Sequence, residues 1–133
     1  MRFTTIRTLP SYYQNMKRFA AVVLCFIAAC TKKDEIAPVI TIETPVENQV
    51  FTAGQTVTIK ANITDNDGVH MIHIIAVDNT GGHWVHSEEH VDGKSFERVK
   101  TFVANAGKKY TISVDATDHD ENSASKEIHV TCN

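Results

Sequence analysis

The chain has 133 residues, with 13 Lys and Arg against 16 Asp and Glu and a formal net charge of −3. That length holds one domain with a modest core. The acidic balance makes nucleic acid a poor partner and none is expected, since its affinity would come from phosphate neutralisation by Lys and Arg.

Residues 1–15 are a polar stretch containing Pro10 and two tyrosines, ahead of the basic Met16-Lys17-Arg18. They read as an extension upstream of the true start at Met16, with no fold of their own. Phe19 to Ala29 are eleven uncharged, mostly apolar residues, too short for a permanent membrane helix of about 20 residues. Residues 16–29 therefore read as a cleaved signal peptide. Its end, Ile27-Ala28-Ala29-Cys30, resembles the lipobox of bacterial lipoproteins. The resemblance implies that Cys30 is lipidated and that a membrane is reached through this anchor. Thr31-Lys32-Lys33-Asp34-Glu35 lies within a flexible tether, residues 30–37. It resembles the Lys-then-acid signal that sends lipoproteins of Bacteroidota-type bacteria to the cell surface. A plain solvated linker is the alternative, so the expected location is the outer membrane, facing either the periplasm or the outside.

Removal of residues 1–29 leaves nine basic against sixteen acidic residues, a formal charge of −7. Cys25 leaves with the signal and Cys30 becomes a thioether, so Cys132 has no partner for an intramolecular disulfide. Its place one residue from the end predicts a frayed terminus with an exposed thiol, either free or able to dimerise the protein.

From Pro38 the apolar residues alternate with a period near two, in short β-branched runs. The runs are Val39 to Glu43, Thr56 to Ile63, Met71 to Val77, Trp84 to about His90, Ser95 to Val103, Tyr110 to Ala116 and Lys126 to Thr131. Turn residues separate them: Asp65-Asn66-Asp67-Gly68, Asn79-Thr80-Gly81-Gly82, Asp92-Gly93-Lys94 and Asn105-Ala106-Gly107-Lys108. Only Gly82 to His90 competes as a helix, because His83, His86 and His90 fall at i, i+3 and i+7. Trp84 and Val85 favour a strand with an irregular end.

Pro38-Val-Ile-Thr-Ile, Gly54-Gln-Thr-Val-Thr-Ile, Asp67-Gly-Val and Tyr110-Thr-Ile-Ser-Val-Asp-Ala-Thr-Asp resemble the immunoglobulin-like modules of bacterial surface proteins. The expected fold for residues 38–133 is all-β, an immunoglobulin-like antiparallel β-sandwich of about seven strands. A narrower resemblance is to short Bacteroidota-type lipoproteins of uncharacterised function, with histidines at the positions of His73, His83 and His86. Such modules carry unrelated functions, so the fold alone assigns none.

All seven histidines follow Cys30, and five lie between residues 70 and 90. Alternation puts His86, Glu88 and His90 on one strand face, with neighbours about 6.5–7 Å apart. A hairpin across Asn79 to Gly82 brings His73 opposite His86 or Glu88, on the side of Ile75 and Val77. Ile72, Ile74 and Ala76 then face the core, and His70 and His73 point opposite ways. Imidazole with carboxylate suits Zn²⁺ or Cu²⁺, so His73, His83, His86, Glu88 and His90 are the candidate metal ligands. Ordinary solvated side chains on a polar face are the alternative. Asp65 and Asp67, and separately Asp118, Asp120 and Asn122, offer oxygen ligands to calcium, although such residues also close turns on their own backbone. The second loop departs from an EF-hand at Ser123 and His129, and His86-Ser-Glu-Glu-His90 departs from a zincin motif at Ser87. There is no Gly-x-Ser-x-Gly and no Gly-rich phosphate loop, so an enzyme is not expected. Two readings remain: a membrane-anchored, non-enzymatic module binding a transition metal, or a structural or adhesive module whose face, Trp84 included, contacts an envelope protein or glycan.

Overall fold

The computed structural model describes residues 32–133, and Asp34–Asn133 form one compact body. The extension, the signal peptide and the lipidation site at Cys30 fall outside the described residues. Among those described, every regular element is a strand: β1 (Val39–Thr44), β2 (Gln49–Phe51), β3 (Thr56–Asp78), β4 (His83–Val103), β5 (Lys109–Asp118) and β6 (Ser123–Cys132).

The two long strands create the sandwich. Residues Thr56 to Thr64 of β3 pair with Ser95 to Val103 of β4 on one side, and Lys60 to Thr64 pair with β1 on the other. Residues Val69 to Asp78 pair instead with β5 and with His83 to Gly93 of β4. One hairpin therefore passes through both layers. β6 extends the second layer beyond β5, and β2 closes that edge in parallel with β6.

Four of the expected runs are thus fused into two strands of 23 and 21 residues. The turn residues Asp65 to Gly68 break the register without ending the strand, as a bulge does. Gly68 adopts a φ of 140° there, a conformation that side-chain-bearing residues rarely reach. β2 has three residues, too few for its alternation to register in sequence.

Period two decides what is buried. Val57, Ile59, Ala61 and Ile63 are fully enclosed, and after the bulge the parity changes to Ile72, Ile74 and Ala76. Tyr110, Ile112, Val114 and Ala116 of β5 and Ile128 and Val130 of β6 meet them. Each large aliphatic side chain in this core contributes about 1.5–3 kcal/mol.

Cys132 and Trp84 depart from the sequence expectations. Cys132 is 3 % exposed and its residue pairs with Phe51, so the terminus is a core strand and the thiol is sheltered. Trp84 occupies the register shift between Ala76 and Val77 of the facing strand. The bulge turns its ring off the polar face and against Phe102 and Tyr110, at centroid distances of 6.2 and 5.8 Å. The indole N–H donates to Asp78 Oδ2 at 3.0 Å.

Candidate functional site

Two places bring chemistry-bearing side chains together: the outer face of the second layer and the pole where the Asp65 and Asp118 turns meet. On the outer face, ladder register lines residues up in rows. His73 stands opposite Glu88 of β4 and opposite Asp115 of β5, while Ile75 stands between His86 and Ser113. Ile72, Ile74 and Ala76 point inward as the alternation requires.

The His73 and His86 rings approach to 5.0 Å between centroids. His83 lies further out, 6.3 Å from His86. Nε2 of His73 is buried and has no hydrogen-bond partner. An imidazole nitrogen removed from water in this way favours a ligand that can engage it. On β5, Ser113 donates to Asp115 Oδ2 at 3.2 Å.

His90 of the candidate set goes elsewhere. Its ring lies 5.2 Å from His70, and His70 lies 4.9 Å from His119. His70 falls at the register shift between Val69 and Met71. That irregularity brings its ring to His90, on the outer face with His73, instead of turning it away. His119 Nε2 is 3.5 Å from the exposed carboxylate of Asp92. The expected histidine cluster is therefore two groups, one around His73 and His86 and one around His70, His90 and His119.

At the pole, Asp65 Oδ1 accepts from the backbone N–H groups of Asp67 and Gly68 at 2.8 and 2.7 Å. Asp118 Oδ1 accepts from those of Asp120 and Asn122, both at 2.8 Å. These are the local turn closures that Asp supplies. Carboxylate oxygens of Asp65, Asp118 and Asp34 lie within 4.8 Å of one another, the one such His, Cys, Asp or Glu group of three or more among the described residues. Asp67 is exposed, and Asp120 Oδ2 accepts the backbone N–H of Asp34 at 2.6 Å. Asn122 donates through Nδ2 to Asp118 Oδ2 and to the Asp34 carbonyl, at 2.6 and 3.0 Å. Asp34, within the tether expected to be flexible, is held by the domain.

A third buried aspartate shows a fully satisfied version of the same turn. Asp78 Oδ1 accepts from Thr80 N–H, Thr80 hydroxyl and Gly82 N–H at 2.7, 2.7 and 3.0 Å. Its Oδ2 takes the Trp84 indole and lies 3.1 Å from Lys108 Nζ. The Thr80 hydroxyl, then Trp84 and Gly82, hold this carboxyl far below its ordinary value of 3.8.

A family model described as a bacterial Ig domain matches residues 38–125. The chain belongs to the bacterial Ig domain family. Comparison with curated proteins gives no match. Among solved structures, the fibronectin(III)-like modules of Clostridium thermocellum CbhA are similar, with 19% identity, 71% of this chain and 96% of theirs covered, and a TM-score of 0.49. Modules of the Ig type are typically non-catalytic binding or structural domains and are often extracellular or surface-associated. In this Ig domain, the histidine face and the aspartate pole belong to different parts of the fold. The face is built by β3, β4 and β5, and the pole by the turns that join β3 to itself and β5 to β6.

Proposed function

We propose that this chain is a membrane-anchored envelope lipoprotein whose Ig domain is a non-enzymatic binding module, taking a transition-metal ion through the His73 and His86 pair. The carrying observation is the buried, unpartnered Nε2 of His73 with the His86 ring 5.0 Å away. Glu88 and Asp115 stand opposite His73 on the two neighbouring strands, but among the described residues no third ligand lies within 4.8 Å of the two imidazoles, so the histidine pair is the donor set and a carboxylate would have to turn toward it. Borderline ions with a taste for imidazole, Zn²⁺ and Cu²⁺, fit this donor chemistry. The lipobox-like Cys30 supplies the anchor in this reading, and the domain would meet its ion at the membrane surface.

Calorimetric titration of the detergent-purified full chain with Zn²⁺ and Cu²⁺ tests it. Binding of about micromolar strength or tighter, lost in both His73→Ala and His86→Ala, is the expected result. Equal binding by the wild type and both variants overturns the assignment.

The adhesive alternative draws on the same exposed face, and an Ig-like module is consistent with a structural or adhesive role. Its aromatic platform is missing, however, because Trp84 packs against Phe102 and Tyr110. Retention of an envelope protein or glycan that survives chelation would favour it.

A further inference from the structure

We propose that Asp34, Asp65 and Asp118 form a calcium site that clamps the chain entering the Ig domain to its aspartate pole. Three observations converge. The first is geometric: their carboxylate oxygens lie within 4.8 Å of one another. Two ligands on opposite sides of a calcium ion, each about 2.4 Å from it, are about 4.8 Å apart. The donor set is all oxygen, which a hard cation prefers to imidazole or thiolate.

The second observation is the orphaned oxygen. Asp65 is 9% exposed, its Oδ1 is used by the turn, and its Oδ2 is buried with no hydrogen-bond partner. Asp78 provides an internal comparison, because its second oxygen has both an indole N–H and the Lys108 ammonium. A buried carboxylate lacking such compensation is costly. Among the described residues, no Lys or Arg forms an ion pair with Asp34 or Asp65. A divalent cation supplies the missing charge.

The third is how Asp34 is held. Its N–H reaches Asp120, its Oδ2 accepts from Asn66 Nδ2 at 2.8 Å, and its carbonyl accepts from Asn122. These partners come from both turns, so the segment before β1 is seated with its carboxylate toward Asp65 and Asp118. Calcium joins three pieces of chain that are distant in sequence. With the anchor proposed above at Cys30, Thr31, Lys32 and Lys33 alone separate the lipid from the clamp. The ion then reinforces a seat that the Asn66, Asp120 and Asn122 hydrogen bonds already outline.

Titrating CaCl₂ into the detergent-purified full chain tests the site. One calcium per chain is expected, with a rise in Tm of about 5–10 °C at saturation and protection of the bonds around Asp34 from protease. Asp65→Asn is expected to abolish the response, Asp34→Asn to weaken binding at least about ten-fold, and Asp67→Asn to leave it unchanged. If Asp65→Asn does not fold, Asp34→Asn decides, because that residue lies before the first core strand. No binding heat and no Tm shift up to about 10 mM calcium, well above the range of weak extracellular sites, overturns the proposal. So does undiminished binding by Asp34→Asn. The histidine reading stands or falls separately, since none of its ligands is altered here.

Discussion

Arg98 reaches back along its own strand to Glu89, with Nε 2.8 Å from Oε2. Lys100 reaches the other oxygen at 2.9 Å. Glu89 is opposite Ile72 and Lys100 opposite Ile59, so these charges lie on the inward side of β4, in the first layer and the second. They close the sandwich along an edge where β4 has no neighbour other than β3. Charge on an edge also discourages strand addition by another chain. Glu89→Ala should lower stability by about 1–2 kcal/mol in denaturant unfolding, since it strands two half-buried cations. A double-mutant cycle with Arg98→Ala should recover about 1 kcal/mol of coupling. Lys100 first, then Arg98, hold the Glu89 carboxyl below its ordinary 4.5. Its contribution is therefore complete above pH 4.5 and lost as the pH falls below it. Strict additivity of the two substitutions would show that the bridge adds nothing.

The Asp78 turn predicts acid sensitivity of a second kind. Because the folded carboxyl lies far below 3.8, its stabilisation is present above pH 3.8 and disappears as the pH drops through and beneath that value. Asp78→Asn should flatten this part of the stability–pH profile, as followed by thermal unfolding. It should also lower Tm at neutral pH, because an amide replaces one acceptor oxygen with a donor facing Trp84 or Thr80. Gly82→Ala probes the same contact from the other side: a Cβ there would come 2.8 Å from Asp78 Oδ2. A profile identical to wild type in Asp78→Asn would remove Asp78 from the explanation.

Cys132 gives a prediction opposite to the one its sequence position suggests. A thiol 3% exposed within β6 should resist a thiol reagent until the protein unfolds, so that labelling tracks denaturant concentration. Non-reducing electrophoresis of the native protein should show no Cys132-linked dimer. Cys132→Ser should cost about 1–2 kcal/mol, for a buried hydroxyl without an assured partner. Rapid labelling of the native protein would contradict a buried terminus.

The alternation of Ile72, Ile74 and Ala76 was legible because a half-buried strand repeats every two residues, and the Asn79 to Gly82 turn set His73 opposite Glu88. What escaped was wherever a bulge shifts that count. His70 and Trp84 sit at register shifts, and each faces the side that simple parity denies it. Asp65 to Gly68 read as a loop since Asp, Asn and Gly usually end strands, yet the ladder resumes beyond them. Asp34 was illegible for another reason. Its partners Asn66, Asp120 and Asn122 are 32, 86 and 88 residues away, and no local pattern marks such pairing.

His73 separates stability from binding. Its Nε2 is buried without a partner, so the ring makes an imperfect structural residue between Glu88 and Asp115. Replacing it by Phe removes an unsatisfied polar atom and keeps a ring of similar size. That change should leave Tm unchanged or raise stability by up to about 1 kcal/mol. Metal binding should be lost in the same variant. Adding Zn²⁺ should therefore raise the Tm of the wild type and leave that of His73→Phe unmoved, since a ligand stabilises only the state that binds it. The exposed His86, changed to Ala, should alter unliganded stability by less than about 0.5 kcal/mol while abolishing the Zn²⁺-dependent rise. A His73→Phe protein that melts well below the unliganded wild type would mean that the imidazole is a structural element, and the metal reading would lose its main support.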